Sequence, residues 1–235
     1  MHAAFSFGGA LGIHFAEAHL PNQMSPTELL NRPGACDLES VIATDELEAR
    51  KRRTPDIASE TEAHLWLMRG LSVAPAEFFS KVVNAAKKLS NAGSTGISLL
   101  NAAQDSFIWP AVAGPLGPYV GGGTPRDFGP CGTVLDRDAA VLFVHPERHF
   151  AYLTAIAPPL EEVLLVPFHM WGKPVGTLWA VIHEKGRKFD GEDRRLLEGL
   201  CSFAESAYRA FSETGVLQPL LDAKPTAAPL PQTVF

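Results

Sequence analysis

The sequence predicts a mixed chain of the α+β kind, α/β in composition, with a sheet covered by helices on one face. Three observations predict it. Two apolar runs, 163–169 and 174–183, are joined by Met170-Trp171-Gly172-Lys173, a turn signal in which Gly172 can supply a positive φ. After Asp190 a long segment carries Leu196, Leu197, Leu200, Phe203, Ala204 and Ala207 at helical spacing, which defines one buried stripe. Ahead of both, two helical patterns lead into a pair of strand-like segments.

Taken in order, residues 1–36 hold Gly8-Gly9, Pro21, Pro26 and Pro33-Gly34 without a sustained period, and read as a disordered extension. Residues 37–58 read as a helix and linker. Asp37 to Arg53 has acids early and bases late, as the helix dipole prefers, and Thr54-Pro55-Asp56 breaks it. Ser59 to Leu71 repeats a helical pattern through Ala63, Leu65, Trp66 and Leu67, with Ser59 and Glu62 spaced as a capping box. Pro75 opens a helix to Leu89 whose buried side is Phe78, Phe79, Val82, Val83, Ala86 and Leu89. Thr95–Asn101 and Phe107–Gly114 then form a strand pair, with Pro110 tolerable only at an edge or a bulge. Residues 115–129, rich in glycine and proline, read as a long loop of the kind that is usually functional. Short helices are expected from Pro130 and from Pro146 to Leu153, with a strand over Ala139–Val144 between them. Asp190 is a good N-cap for the long helix, and Glu192 and Asp193 sit on the positive end of its dipole. Residues 59–212 thus form one domain, and 213–235 read as a disordered proline-rich tail.

The hairpin indicates where a ligand would sit. Alternation along its second strand puts Thr177, Trp179, Val181 and His183 on one face and Gly176, Leu178, Ala180 and Ile182 on the other. The first strand repeats the split, with Leu165, Pro167 and His169 against Leu164, Val166 and Phe168. One face is small and aliphatic, suited to packed helices. The other holds every side chain able to hydrogen-bond, which suggests a pocket.

Composition bounds the function. At 46% hydrophobic and 20% charged, the 235-residue chain is globular and can bury a sizeable core. Its net charge of −6 and the lack of a basic stripe argue against nucleic-acid binding. Three widely spaced cysteines, Cys36, Cys131 and Cys201, fit a reducing compartment. No apolar run reaches membrane-spanning length, so the cytoplasm is the expected location.

The element order, together with AGSTGISLLN (92–101), PCGTVLDRDAAVLF (130–143), LLVPFHMWGKPVGTLWAVIHE (164–184) and FDGEDRRLLEGLCSFAESA (189–207), resembles a GAF domain, the small-ligand sensory module related to PAS domains. The likeness runs from Glu60 to Phe211 and is narrower still to GAF modules of the sensor histidine kinases of two-component systems. It implies a central antiparallel sheet with the terminal helices packed behind. It places the pocket in front, under a crossover of loop and short helices spanning 115–153. It also implies a homodimer through the terminal helices and a separate kinase or other output protein as partner.

Gly129-Pro130-Cys131-Gly132-Thr133 is the leading constellation. Pro130 suits a first helical turn, leaving the amides of Cys131, Gly132 and Thr133 to attract an anion beside Arg126. The same dipole is expected to lower the Cys131 thiol pKa, so an anion cradle, a redox thiol and a chromophore attachment point are all open uses. A cysteine-linked bilin is disfavoured because glycine, not histidine, follows Cys131. His145 and His149 could face one metal, but Pro146 starts a helix between them and no further ligand completes a set. Trp109, Tyr119 and Phe128, among other aromatics near the loop, could floor a pocket for a planar ligand. Neither a phosphate-cradling Walker loop nor a nucleophile elbow is present.

The candidate ligand-binding set is therefore Trp109, Tyr119, Arg126, Phe128, Cys131, Gly132, Thr133, His145, His169, Thr177, Trp179 and His183, and no metal or named cofactor is assigned. The function expected is a non-enzymatic sensory domain for a small polar or planar ligand. Two alternatives stand beside it. One is a cysteine-dependent enzyme similar to the GAF family that reduces free methionine sulfoxide. The other is a ligand-free dimerisation module with a collapsed front face.

Overall fold

Among the described residues, six antiparallel strands form one sheet in the order β3-β2-β1-β6-β5-β4. They are β1 Ser94–Asn101, β2 Ser106–Ala113, β3 Gly123–Pro125, β4 Val141–Val144, β5 Glu162–Met170 and β6 Lys173–Ile182. The computed structural model describes residues 36–70 and 73–223, so the segments read as disordered at 1–35 and beyond 223 lie outside the described residues. In the β5–β6 turn both Trp171 (φ 51) and Gly172 (φ 74) are left-handed, a pair whose backbone twist matches that of the flanking strands. That turn sets the register Leu164↔Ala180, Leu165↔Trp179 and Pro167↔Thr177. The faces follow from it as the alternation predicts.

Behind the sheet lie α2 (Ile57–Arg69), α3 (Pro75–Ser90) and the long α5 (Gly191–Glu213). Leu164, Val166, Phe168, Leu178, Ala180 and Ile182 face them in one buried core with Phe78, Phe79, Val82, Leu197, Leu200 and Ala204. The α5 start is a complete capping box. The Asp190 carboxylate accepts from the Glu192 and Asp193 amides, and the Asp193 carboxylate accepts from the Asp190 amide. In front of the sheet lie α4 (Pro130–Arg137) and short 3₁₀ turns at Pro146–Arg148 and Ala151–Ala155. A second core forms there around Val134, Phe143, Phe150, Val163, Leu165 and Val181.

Several elements differ from expectation. Asp37–Arg53 is not one helix: a 3₁₀ turn at Leu38–Val41 is followed by α1, Thr44–Ala49. Ile42 bridges Phe143 and the Ala43 amide donates to the Leu142 carbonyl, so the chain is held extended along the edge of β4 while Val41 and Leu47 are buried. The α2 cap is Asp56, whose side chain accepts from the Ser59 amide, and the Ser59–Glu62 capping box does not form. Leu65 and Trp66 face outward, because α2 buries only Ala63 and Leu67. The expected long loop contains β3, and the single helix expected at 146–153 is two separate 3₁₀ turns. Beyond Glu213 the chain turns at Gly215 (φ 74), buries Leu217 in the rear core and forms α6, Gln218–Leu221, where a disordered tail was expected. The Asn101 amide donates to the Leu221 carbonyl at 2.8 Å.

Candidate functional site

The front faces of β5 and β6 meet the crossover around a cavity of about 90 Å³. Trp179, Val181, Val163 and Leu165 form its floor, and Trp109 closes one side. Leu116, Tyr119, Pro130, Cys131, Tyr152, Leu153, Ile156 and Leu160 form the roof and walls. Trp179 fits because its cross-strand partner is Gly96, where a Cβ would collide with the indole ring. Trp109 reaches the cavity from a bulge, where Trp109 and Pro110 together oppose Ser98. A proline at that point loses no ladder hydrogen bond, which resolves how Pro110 sits inside a strand.

A hydrogen-bonded knot ties the roof to the floor. The Trp179 indole N–H donates to Ser98 Oγ at 3.1 Å. Ser98 Oγ lies 3.2 Å from Cys131 Sγ, and Thr177 Oγ1 donates to the same sulfur at 3.4 Å. Ser98 and Thr177 are fully buried. A second tie lies at the end of β6. His183 Nδ1 is 2.9 Å from the Pro159 carbonyl, which can only accept, so Nδ1–H donates there while Nε2 faces Ser94 Oγ at 2.8 Å. Ser94 Oγ in turn accepts from the Leu116 amide. His183 thus fastens the two roof segments that bring Leu116 and Leu160 to the cavity.

Of the predicted residues, Trp109, Tyr119, Cys131 and Trp179 line the cavity, Thr177 lies in the knot and His183 at the fastening. Phe128 stacks on Tyr152 with ring centroids 4.5 Å apart, one layer outside. Gly132 packs against the Arg126 carbonyl, where a side chain would not fit, and Thr133 is half-buried on α4 away from the lining. Three expected residues are elsewhere. Arg126 turns outward to Asp127 and Asp136, each at 2.5 Å. His145, left-handed at φ 48, is half-buried beside Glu147 and Glu161, outside the cavity lining. His169 follows a register shift after Phe168 that swings it round the sheet edge, where it meets Asp138 at 2.5 Å and Glu205 at 3.3 Å. Burial alone would lower the His169 pKa, but the two carboxylates together raise it.

Cys131 also departs from expectation. Burial pushes its thiol pKa up, outweighing the hydrogen bonds from Ser98 and Thr177, so it is not an activated thiolate. The Gly132 amide is already used by the Gly129 carbonyl, and with Arg126 turned away the anion cradle does not assemble. Cys201 lies behind the sheet with Sγ facing the Val166 carbonyl, across the β-layer from Cys131, so it cannot act as its resolving thiol. His149 Nδ1 is 2.7 Å from the Cys36 carbonyl, and among the described residues no cluster of three or more His, Cys, Asp or Glu could hold a metal. Sequence reasoning missed Gly96, although a glycine within a strand signals close approach. It also missed Leu116, Tyr152, Ile156 and Leu160, whose placement depends on the fold of the crossover.

A GAF domain model matches residues 72–208, more than half of the 235-residue chain. The chain belongs to the GAF domain family. Solved structures of GAF domains share the fold. That from the Acinetobacter phosphoenolpyruvate-protein phosphotransferase is 20% identical with a TM-score of 0.59, covering 68% of this chain and 95% of that one. Its Coxiella burnetii counterpart is 16% identical with a TM-score of 0.59, covering 69% and 99%. The free methionine-R-sulfoxide reductase of Neisseria meningitidis, solved in complex with its substrate, is 16% identical with a TM-score of 0.52, covering 70% and 97%. Among curated proteins, none matches the chain in sequence. Among the described residues of this GAF domain, no helix is long and apolar enough to cross a membrane.

Proposed function

We propose that this GAF domain is a cytoplasmic sensory or regulatory module that binds a small molecule in the front cavity and reports its occupancy through the terminal helices. The single observation that carries the reading is the cavity of about 90 Å³ between the β-layer and the crossover, walled by aromatic side chains. A collapsed dimerisation module would have no such space. Output through a homodimer is supported by the outward side of α2, where Ile57, Leu65 and Met68 are 61%, 48% and 61% exposed. A partner kinase or other output protein would read the same helices.

Filling the cavity tests the proposal. Val163→Phe places a ring in the space while keeping the strand residue apolar. Native mass spectrometry and thermal shift with a small-molecule library should show ligand-dependent stabilisation of the wild type and none of the variant. A variant that folds and keeps the full response places binding elsewhere. The alternative of a thiol-dependent reductase predicts sulfoxide-driven oxidation of Cys131, and the raised pKa of that half-buried thiol argues against it.

A further inference from the structure

We infer that His169 is a proton-operated clasp between the crossover helix α4 in front of the sheet and the long helix α5 behind it, closed while the imidazole is protonated and open once it is neutral. The inference goes beyond the ligand-binding reading and does not depend on it.

The clasp sits at an open edge. β4 pairs only with Glu162–Leu165, so among the described residues the last part of β5 has no strand neighbour on that side. A register shift between Phe168 and His169 turns the ring into this gap. There Nε2 lies 2.5 Å from Asp138 Oδ1 and Nδ1 lies 3.3 Å from Glu205 Oε1. Asp138 is the left-handed C-cap of α4 (φ 48), and Glu205 belongs to α5. The ring therefore bridges front and rear around the sheet.

The chemistry of the ring decides when the bridge holds. An imidazolium carries an N–H on each nitrogen and can donate to both carboxylates at once. A neutral imidazole has one N–H and one lone pair, and a lone pair facing a carboxylate is repelled. Glu205 is kept close regardless, because the His169 backbone amide donates to the same Oε1 at 2.9 Å. Loss of the proton thus sets the ring against one carboxylate whichever tautomer forms, and the bridge breaks on that side. Burial alone would lower the His169 pKa, but Asp138 and Glu205 outweigh it, so the closed form persists above the ordinary imidazole range.

The surrounding groups offer no competing proton site. On α5, burial pushes the thiol of Cys201 well up and the hydroxyl of Tyr208 up, so both stay protonated, and Arg209 is exposed. On β6, Pro174 faces His169 and the exposed Lys173 faces Met170. Arg137, beside Asp138, pairs with Glu39. Because α4 also carries Pro130 and Cys131 into the cavity lining, opening the clasp loosens the far turn of a roof helix as pH rises.

Long-range proton–nitrogen NMR of the ring across a pH titration, with amide hydrogen exchange expressed as protection factors, tests the clasp on the wild type itself. Both His169 ring nitrogens should be protonated below the midpoint and only one above it. Protection over 134–137 should fall by about fivefold at that same midpoint, the upper end for a partly exposed ion pair. Asp138→Asn removes the charge while keeping an acceptor and a residue that tolerates the left-handed backbone. It should move the His169 midpoint to lower pH, and His169→Gln should abolish the step in α4 protection. A ring with one protonated nitrogen throughout the titration overturns the clasp. So does wild-type α4 protection that takes no step at the His169 midpoint, a step that survives in His169→Gln, or an Asp138→Asn midpoint equal to that of the wild type.

Discussion

Replacing Arg50 with alanine should destabilise the domain by about 3–5 kcal/mol, because it strips the partner from a buried carboxylate. Glu162 opens β5 and is 3% exposed. Arg50 reaches it with both terminal nitrogens, Nη1 at 2.9 Å from Oε2 and Nη2 at 2.8 Å from Oε1, in the fork geometry that suits a carboxylate. The Phe189 amide supplies a further hydrogen bond at 2.9 Å, and Arg50 Nη1 also donates to the Phe189 carbonyl. Arg50 thereby joins the strap ahead of α2, the sheet and the approach to α5. Alanine would leave Glu162 buried with one amide in place of three donors. Thermal unfolding should show a midpoint lower by about 6–20 °C, at about 2–4 °C per kcal/mol for a chain of this size. The double variant Arg50→Met with Glu162→Leu should recover most of that loss, since a neutral pair of similar shape leaves no charge in the interior. A single variant losing under about 1 kcal/mol, the value of a surface pair, would refute the reasoning. So would a double variant no more stable than the single one.

Other consequences are open to direct test. His169 has a folded-state pKa raised above its ordinary value by Asp138 and Glu205 acting against burial. Its contribution is therefore fully present below an unfolded imidazole pKa of about 6.5 and is lost as pH rises through the higher folded value. The Tm difference between wild type and His169→Gln should shrink over that alkaline-going window, and a difference that is flat or grows with pH contradicts the clasp. Gly96→Ala should destabilise by about 1–3 kcal/mol through overpacking against the Trp179 indole, measured by urea unfolding followed by tryptophan fluorescence. Cys131 should react with a disulfide reagent at neutral pH many-fold more slowly in the folded protein than in urea, because burial raises its thiol pKa.

Much of this architecture is legible in short-range pattern. Period-2 alternation across 174–183 assigns Trp179 and Thr177 to the front because strand faces depend on parity alone, and the turn containing Gly172 fixes that parity. Asp190 caps α5 for similarly local reasons. What fails is whatever depends on a neighbour distant in sequence. Arg126 is near Cys131 along the chain, yet a 3₁₀ turn at Arg126–Phe128 directs it to Asp136 on the outer side of α4. His169 has front-face parity, but one register shift moves it round the edge that β4, pairing only with Glu162–Leu165, leaves open. The helix-dipole argument for an acidic Cys131 is sound for an exposed helix start. It is outweighed here by an apolar roof assembled from Leu116, Tyr152 and Ile156. Asp56 takes the α2 cap from Ser59 because it lies one turn earlier, where its carboxylate receives both the Ser59 amide and hydroxyl.

A crystal held under xenon pressure tests the account most directly, since xenon enters dry apolar cavities without needing hydrogen bonds. The account predicts a xenon peak in the front chamber, in contact with Val163 and Trp179, with the crossover unmoved. Xenon that stays out of that chamber while entering the rear core would contradict it, showing the front of the β-layer to be solid interior.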